Sequence, residues 1–473
     1  MNKKVDVIVI GAGSAGLAAV RQIEKTTDNY LLIDQGPLGT TCARVGCMPS
    51  KAFIKVARDF HGATRLAQAG LTGTAPADCD IPAVLEHVRR LRNRFASGMV
   101  EVTRKLAGDR LIKGAARLLG PNRVLVNDEE ITCSSIILAT GSRPTIPEAW
   151  RGFSDRILTA DTFFEQQDLP RRIAVVGLGI IGLELGQALA RLGIEVTGFG
   201  RNPHICGIRD PEINRVALET LGRQFPLHVG DEAEMTPAGK TLRIRNGFHE
   251  VEVDAVIAAL GVTPNMDNLG LENLGVPLDA RGLPPYHPYT TQIGDLPVYV
   301  AGDANGCLPI LHEAQDEGFI AGRNATGTQI QKYRRRAGLK IVFTDPQVAA
   351  VGQTLNKLED ADIIVARADF SEQSRAIAEG RNAGLMHLYV NKADARILGG
   401  EMIVPDAEHL AQLLALAIHR EMTVHDMLTM PFYHPTVEEG LRTALRDAAR
   451  QLHHMHSKEE LTLCESCPEL PLC

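Results

Sequence analysis

No apolar run in the 473 residues reaches the roughly 18 residues of a membrane span. Positive charge is not in excess either. Lys and Arg number 50 against 57 Asp and Glu, a net charge of −7, which argues against a nucleic-acid footprint. The N-terminal apolar stretch V-D-V-I-V-I ends at once in Gly11, too soon for an export signal, and reads as a buried first strand. An even, dense cysteine framework is also missing. Cys42, Cys47, Cys79, Cys133, Cys206, Cys307, Cys464, Cys467 and Cys473 are an odd and scattered set, unlike a small secreted scaffold. A reducing cytoplasm is therefore the expected compartment, where a close cysteine pair is chemically active more often than structural. What is present is ordinary for a globular chain, 44% hydrophobic and 23% charged residues, over a length that suits about three domains.

One close pair exists. Gly39 to Lys51 reads G-T-T-C-A-R-V-G-C-M-P-S-K, with four residues between Cys42 and Cys47. A loop entering a helix can bring two such residues within disulfide range if its first turn is distorted; Gly46 supplies freedom and Pro49 constraint. Lys51 falls one helical turn past Cys47, on the same face. A thiol at a helix N-terminus beside a cation should ionise more readily than a free cysteine. Two buried structural cysteines would be the plain alternative.

The nucleotide signals are stronger. Strand-like V-D-V-I-V-I runs into Gly11-Ala12-Gly13-Ser14-Ala15-Gly16, then a helix-like segment, then Y-L-L-I-D ending at Asp34. Strand, glycine turn, helix, strand and acid make the dinucleotide fingerprint in its required context. Gly11 allows the tight turn, Gly13 lets a pyrophosphate approach the helix N-terminus, Gly16 lets helix and sheet pack closely, and Asp34 takes a ribose hydroxyl. The pattern returns as I-A-V-V, Gly177-Leu178-Gly179-Ile180-Ile181-Gly182, a helix containing Glu184, and I-E-V-T-G-F. This second unit ends in Gly200-Arg201 rather than an acid. Arg201 could meet a ribose 2′-phosphate, although the third glycine is commoner with the unphosphorylated cofactor, and a solvated loop arginine would look the same.

Between and beyond these units, residues 81–107 carry Val84, Val88, Leu91, Phe95, Met99, Val102 and Leu106 at helical steps, a long amphipathic helix. Arg89, Arg90, Arg92 and Arg94 lie off that stripe, as a solvated face or a docking patch. S-S-I-I-L-A-T-G ends at Thr140-Gly141, and D-A-V-I-A-A-L-G at Gly261; small residues at strand ends suit a cofactor or another backbone. L-P-V-Y-V-A-G-D places Asp303 just past a buried strand, where it could bond a cofactor hydroxyl or cap the next helix. From 337 to 455 the texture changes to strands followed by helices. There, Phe432-Tyr433-His434-Pro435-Thr436-Val437-Glu438-Glu439 precedes an amphipathic helix. Pro435 suits a first helical position, and Glu439 in the second turn could fold back to orient His434. A His–carboxylate pair suits a general base; a histidine packed at a helix start is the alternative.

The cysteine motif, both G-x-G-x-x-G units, A-T-G-S-R-P, V-Y-V-A-G-D, F-T-D-P-Q-V-A-A-V-G and H-P-T-V-E-E occur in one order across residues 5 to about 452. In this the chain resembles the flavoprotein (pyridine nucleotide-) disulfide oxidoreductases, most nearly their dihydrolipoamide dehydrogenase branch. The resemblance implies an α/β fold: an FAD-binding Rossmann-like domain (1–150), an NAD(P)-binding Rossmann-like domain (151–275), a central segment completing the first (276–336), an α+β dimerisation domain (337–455) and a cysteine-containing tail (456–473). It implies FAD on Gly11, Gly13, Gly16, Asp34, Lys51, Gly141 and Asp303. NAD or NADP is implied on the second unit with Gly177, Gly179 and Gly182, and Glu184 near the nicotinamide–flavin junction; Arg201 and Gly261 are further cofactor-binding candidates. It also implies a homodimer in which His434 and Glu439 of one subunit serve Cys42 and Cys47 of the other, with no nucleic-acid or membrane partner.

The implied reaction passes electrons from a substrate dithiol through the Cys42–Cys47 disulfide and FAD to NAD(P)⁺. His434 takes the substrate proton, Cys42 is attacked, and Cys47 faces the flavin. Thr40 and Asp34 stand where the family usually has Gly and Glu. An NADPH-dependent disulfide or mercuric reductase working in the opposite direction is the first alternative; the retained His434-Pro435 pair weighs against the mercuric form. A flavoprotein redox sensor or scaffold without turnover is the second. The tail L-C-E-S-C-P-E-L-P-L-C lies outside the family pattern. Its Cys464, Cys467 and Cys473, with His453, His454 and His456 upstream, read as a weak metal motif, an electron relay or incidental cysteines.

Overall fold

The computed structural model describes residues 3–73 and 79–452. The tail cysteines and the three histidines before them lie outside the described residues. The chain divides into two compact units, one from residues 1–171 and 254–335, the other from 172–253 and 336–473.

The first unit is built on a seven-stranded mixed sheet with a parallel centre. β1 (Lys3–Ile10) lies between β2 (Tyr30–Asp34) and the strand Glu129–Leu138, which also pairs in parallel with Val298–Val300. Ile8, Val9, Leu32, Ile33, Ile136 and Ile137 are buried, as an apolar run without alternation predicts for a sheet covered on both faces. α1 (Ser14–Ile23) packs on the helix Leu311–Thr326 through small residues. A Cβ on Gly318 would stand 2.1 Å from the Ala15 carbonyl oxygen, and one on Gly322 would stand 2.5 Å from that of Ala19. α2 (Thr41–Arg44) and α3 (Cys47–Gln68) follow β2, then α4 (Ile81–Ala107).

α4 matches the expected helix, but its apolar stripe is only partly covered. Leu85 and Val88 are buried, whereas Phe95 and Val102 are 36% and 39% exposed. Periodicity marks a face, and the neighbours available along 27 residues decide how much of it is covered. The basic face is partly pinned within the same unit: Arg89 donates to the Gln166 carbonyl, and Arg92 pairs with Glu165.

In the second unit the strands Arg172–Val176, Glu195–Gly200 and Leu227–Val229 pair in parallel, with the helix Ile180–Arg191 between the first two in sequence. The chain then forms a three-stranded antiparallel ribbon over Glu234–Val253. Its last part is a five-stranded antiparallel sheet carrying the helices Ala407–His419 and Glu439–Leu452. Leu410, Leu414, Leu441, Leu445 and Leu452 fill the core against Phe370, Met386 and Leu388, each leucine contributing about 1.5–3 kcal/mol by burial. The architecture is α/β, with the α+β region where the texture of the sequence changes.

Candidate active site

In the first unit the sequence from Gly39 to Lys51 folds into two helices meeting at Gly46. The Gly46 N–H donates to the Thr41 carbonyl at 2.8 Å, closing the first turn tightly. Cys42 lies within α2 and Cys47 opens α3. Cys42 is half-buried and Cys47 exposed, and the two thiols are hydrogen-bonded partners. The Cys42 thiol is pushed well above the ordinary cysteine range. Its bond to Cys47 is the largest cause, followed by burial and by charge on Cys47; the Cys47 backbone amide and Lys51 pull the other way. The expectation of an easily ionised thiol therefore does not extend to Cys42 in this dithiol form. A thiol that is partly buried beside a second sulfur keeps its proton, because burial and a neighbouring negative charge both disfavour the thiolate. Thr40 shapes the approach. Its φ is 58° and ψ 144°, a region that suits glycine, and its Oγ1 accepts from the Ala43 amide at 3.3 Å.

The same unit holds the first glycine turn. Gly11 has φ 109°, and a Cβ there would stand 2.1 Å from the Ala139 carbonyl oxygen; one on Gly16 would stand 1.9 Å from that of Gly11. Gly13, the residue before α1, has no heavy atom within 4 Å of a Cβ position. The two outer glycines are thus required by the fold, and the middle one leaves open space at a helix N-terminus, as a pyrophosphate needs. Asp34 accepts from the Ala12 amide at 2.7 Å and from that of Gly36 at 2.6 Å, so it orders the turn as well as offering a carboxylate there. Gly141 (φ 69°) has open space at its Cβ position. Asp303 accepts from Ser142 Oγ at 2.8 Å, and burial raises its carboxyl above the usual range despite that bond. Gly261 (φ 94°) is likewise open, and its carbonyl accepts from Thr145 N–H at 3.0 Å. These residues fit a bound FAD: a helix N-terminus and glycine cradle for phosphates, and acids for hydroxyls.

Two supporting residues were not singled out from the sequence. Ser142 holds Asp303, and Glu317 accepts from the Gly302 amide at 2.8 Å and from Asn305 Nδ2 at 2.7 Å, holding the turn that carries Asp303. The four-residue spacing of Glu313 and Glu317 on one helix face was the available signal; both pair with Arg335.

The second unit repeats the glycine geometry. A Cβ on Gly182 would stand 1.9 Å from the Gly177 carbonyl oxygen, whereas Gly179 is open. Glu184 is 3% exposed and accepts from the Phe343 amide at 3.0 Å. Cys206, unremarked in the sequence beyond its count, lies near Glu184; its thiol is raised, first by burial and then by that carboxylate. Arg201 is exposed at the end of Glu195–Gly200.

His434 and Glu439 do come together. His434 Nδ1 is 3.0 Å and 3.2 Å from the two Glu439 carboxylate oxygens, and the Thr436 amide donates to the same group at 3.2 Å. The imidazole is 70% exposed. The helix begins at Glu439, not at Pro435; before it, the Thr436 N–H donates to Glu439 and the Thr436 hydroxyl to the Tyr433 carbonyl at 2.8 Å. Glu439 is therefore the first helical residue, where a carboxylate is favoured by the helix dipole. Among the described residues no helix is long and apolar enough to cross a membrane.

Comparison with known proteins identifies the family of the chain. Residues 5–318 match the family model described as pyridine nucleotide-disulphide oxidoreductase, and residues 339–445 its dimerisation domain, so the chain has the interface module of a homodimer. It is 30% identical over 467 residues to a dihydrolipoyl dehydrogenase of Thermus scotoductus, covering 96% of this chain and 99% of that one. It is 29% identical over 454 residues to a mercuric reductase of Staphylococcus aureus, covering 93% and 81%. The crystal structure of LpdA from Mycobacterium tuberculosis superposes with a TM-score of 0.81 at 24% identity, over 93% of this chain and 99% of that one. With the paired thiols, two glycine cradles and a matching dimerisation domain in one chain, the protein belongs to the pyridine nucleotide-disulphide oxidoreductase family, which binds FAD and NAD(P).

Proposed function

We propose that the protein oxidises a dithiol of the dihydrolipoyl type and passes the electrons to NAD(P)⁺. The observation that carries this reading is the His434–Glu439 pair, an exposed imidazole whose Nδ1 is held by a carboxylate while the rest of the ring faces solvent. An enzyme that withdraws electrons from a thiol first needs a base for its proton. The proposed domains are those of the sequence reading: 1–150 for FAD, 151–275 for the nucleotide, 276–336 central and 337–455 at the interface. In the homodimer, His434 and Glu439 of one subunit face Cys42 and Cys47 of the partner subunit. A reducing, cytoplasmic setting fits the scattered cysteines.

The steps assigned to the chain are these. His434 accepts a proton from one substrate thiol, and Glu439 stabilises the imidazolium. The substrate thiolate attacks Cys42 Sγ of the Cys42–Cys47 disulfide; the S–S bond breaks and Cys47 leaves as thiolate. The second substrate thiol loses its proton to solvent and attacks the first substrate sulfur, releasing oxidised substrate and the Cys42 thiolate. Lys51, one turn past Cys47, supplies positive charge beside the pair. Bound FAD supplies the two-electron link between Cys47 and the nicotinamide. Gly11, Gly13, Gly16, Asp34, Gly141 and Asp303 hold that group, while Gly177, Gly179, Gly182 and Glu184 serve the nucleotide. The net change is dithiol plus NAD(P)⁺ to disulfide, NAD(P)H and a proton.

Arg201 favours a second reading, reduction of a disulfide or soft metal ion by NADPH, because a cation stands where a ribose-binding acid would. Purified holoenzyme assayed with dihydrolipoamide, glutathione disulfide and Hg²⁺, each with both nucleotides, separates the readings. Dihydrolipoamide should support the fastest turnover. Background rates with it beside strong activity on another substrate would overturn the first reading.

A further inference from the structure

The second unit buries a carboxylate that the proposed chemistry does not use. Glu401, on the strand Ile397–Val404, is 0% exposed. Its donors are the Arg209 amide at 2.6 Å, the Leu355 amide at 3.1 Å and Tyr389 Oη at 3.0 Å. Tyr389 also lies 3.0 Å from Asp210 Oδ2, which is 2.7 Å from His387 Nδ1. Asp210 Oδ1 in turn accepts from the Glu212 and Ile213 amides and so caps the helix Pro211–Gly222. A buried carboxylate is retained only where donors are fixed on it, so Glu401 and Asp210 hold whatever carries those donors.

What they hold is the loop after the second glycine turn. Arg209 and Asp210 end a segment that begins at Arg201. Inside it, Ile205 and Ile208 are buried, and the Ile208 amide donates to the Ile205 carbonyl at 3.0 Å. Asn214 accepts from the Ile205 amide and donates to the Pro203 carbonyl, both at 3.0 Å. The Cys206 amide, on a residue with φ 55°, donates to the Leu178 carbonyl at 3.0 Å. Leu178 lies between Gly177 and Gly179. An unbroken series of bonded and packed groups therefore runs from Glu401, through Arg209, Ile208, Ile205 and Cys206, to the turn itself.

We infer that Glu401 and Tyr389 are positioning residues for the pyridine nucleotide: they hold the Arg201–Arg209 loop against the Gly177–Gly182 turn, so nucleotide affinity is set partly from the C-terminal sheet. This rests on the proposed use of that turn for NAD(P). Coupling carried through packed residues typically changes affinity by about 2- to 30-fold.

The test uses full-length holoenzyme and direct binding of NAD⁺ and NADP⁺ by calorimetry. Glu401→Ala should raise Kd for at least one nucleotide roughly tenfold and speed amide hydrogen exchange over 203–213, with flavin content and the rate of flavin reduction by dithiol unchanged. If that variant does not fold, Tyr389→Phe, which keeps the Arg209 acceptor, should raise Kd about threefold. Either folded variant with parental Kd and exchange, even with a lower Tm, overturns the inference. Gly179→Val separates the two levels. If it raises Kd while the Glu401 variant does not, only the positioning role fails. If it leaves Kd unchanged, nucleotide does not use this turn and both readings fall.

Discussion

Replacing His434 with alanine should separate the two halves of the catalytic cycle. The side chain is 70% exposed and its hydrogen bonds go to the Glu439 carboxylate, which keeps the Thr436 amide when the imidazole is removed. Folding should therefore change by no more than about 0.5 kcal/mol, and Tm should hardly move. A general base contributes about 10²–10⁴ in rate, or about 2.7–5.5 kcal/mol of barrier. That loss should fall on reduction of bound flavin by dithiol, followed at the flavin absorbance by stopped flow. Oxidation of NADH by an artificial acceptor, which needs no thiol proton, should stay near the parental rate. Glu439→Gln is the graded control. It keeps an acceptor for Thr436 and exchanges a charge-assisted bond to His434 for a neutral one, a difference of about 1 kcal/mol and so about a fivefold loss. Equal loss in both half-reactions, or an unaffected thiol half-reaction, would refute the assignment of His434 as base. A Glu439→Gln defect as deep as that of His434→Ala would refute its supporting role.

Other outcomes follow from the same geometry. Gly13→Val should fold with near-parental Tm yet purify with little flavin, because its Cβ meets no protein atom, whereas Gly16→Ala should lose about 3 kcal/mol or more against the Gly11 carbonyl; the flavin-to-protein absorbance ratio and Tm distinguish them. Thr40→Gly should raise stability by about 1 kcal/mol, as relief at φ 58° outweighs the lost Oγ1 bond to Ala43, and a lower midpoint in urea would contradict this. Burial alone would raise the Asp210 carboxyl, but His387, the Ile213 amide and Tyr389 together hold it below the usual carboxylate range. A depressed folded pKa gives stability that is complete above the unfolded value of about 4 and is lost as pH falls through the folded value. Tm should accordingly decline on acidification below about pH 4, and Asp210→Asn should flatten that part of the profile; an unchanged slope would count against the Asp210 cluster.

Much of the site could be read from the chain because its chemistry is local. In each glycine turn the first and third glycines approach each other, within a few residues, too closely for a Cβ, and the second faces open space. Spacing alone therefore separates glycines needed by the fold from the one left for a ligand. Cys42, Cys47 and Lys51 lie within a turn or two of one another, and His434 reaches Glu439 across five positions. In some details the structure differs from the sequence reading. The last helix starts at Glu439, later than Pro435 suggested, with the Thr436 amide bonded back to Glu439. The thiol expected to ionise beside Lys51 is that of Cys47 at the helix start; the Cys42 thiol is raised by its bond to Cys47 and by burial. Phe95 and Val102 have the right period but are only partly covered among the described residues.

The sequence by itself determined the α/β class, the two nucleotide cradles and the identity of the paired thiols, since each depends on residues bonded or packed within one supersecondary motif. Tertiary structure alone decided which buried acids support those motifs from a distance. Glu317 reaches Gly302, and Glu401 reaches Arg209 across 192 positions of sequence. The spacing of Glu313 and Glu317 marks a shared helix face, but nothing in the sequence encodes the amides that these acids reach. A carboxylate finds its amide donors only after separate strands and helices have packed, and burial then makes the bond costly to lose.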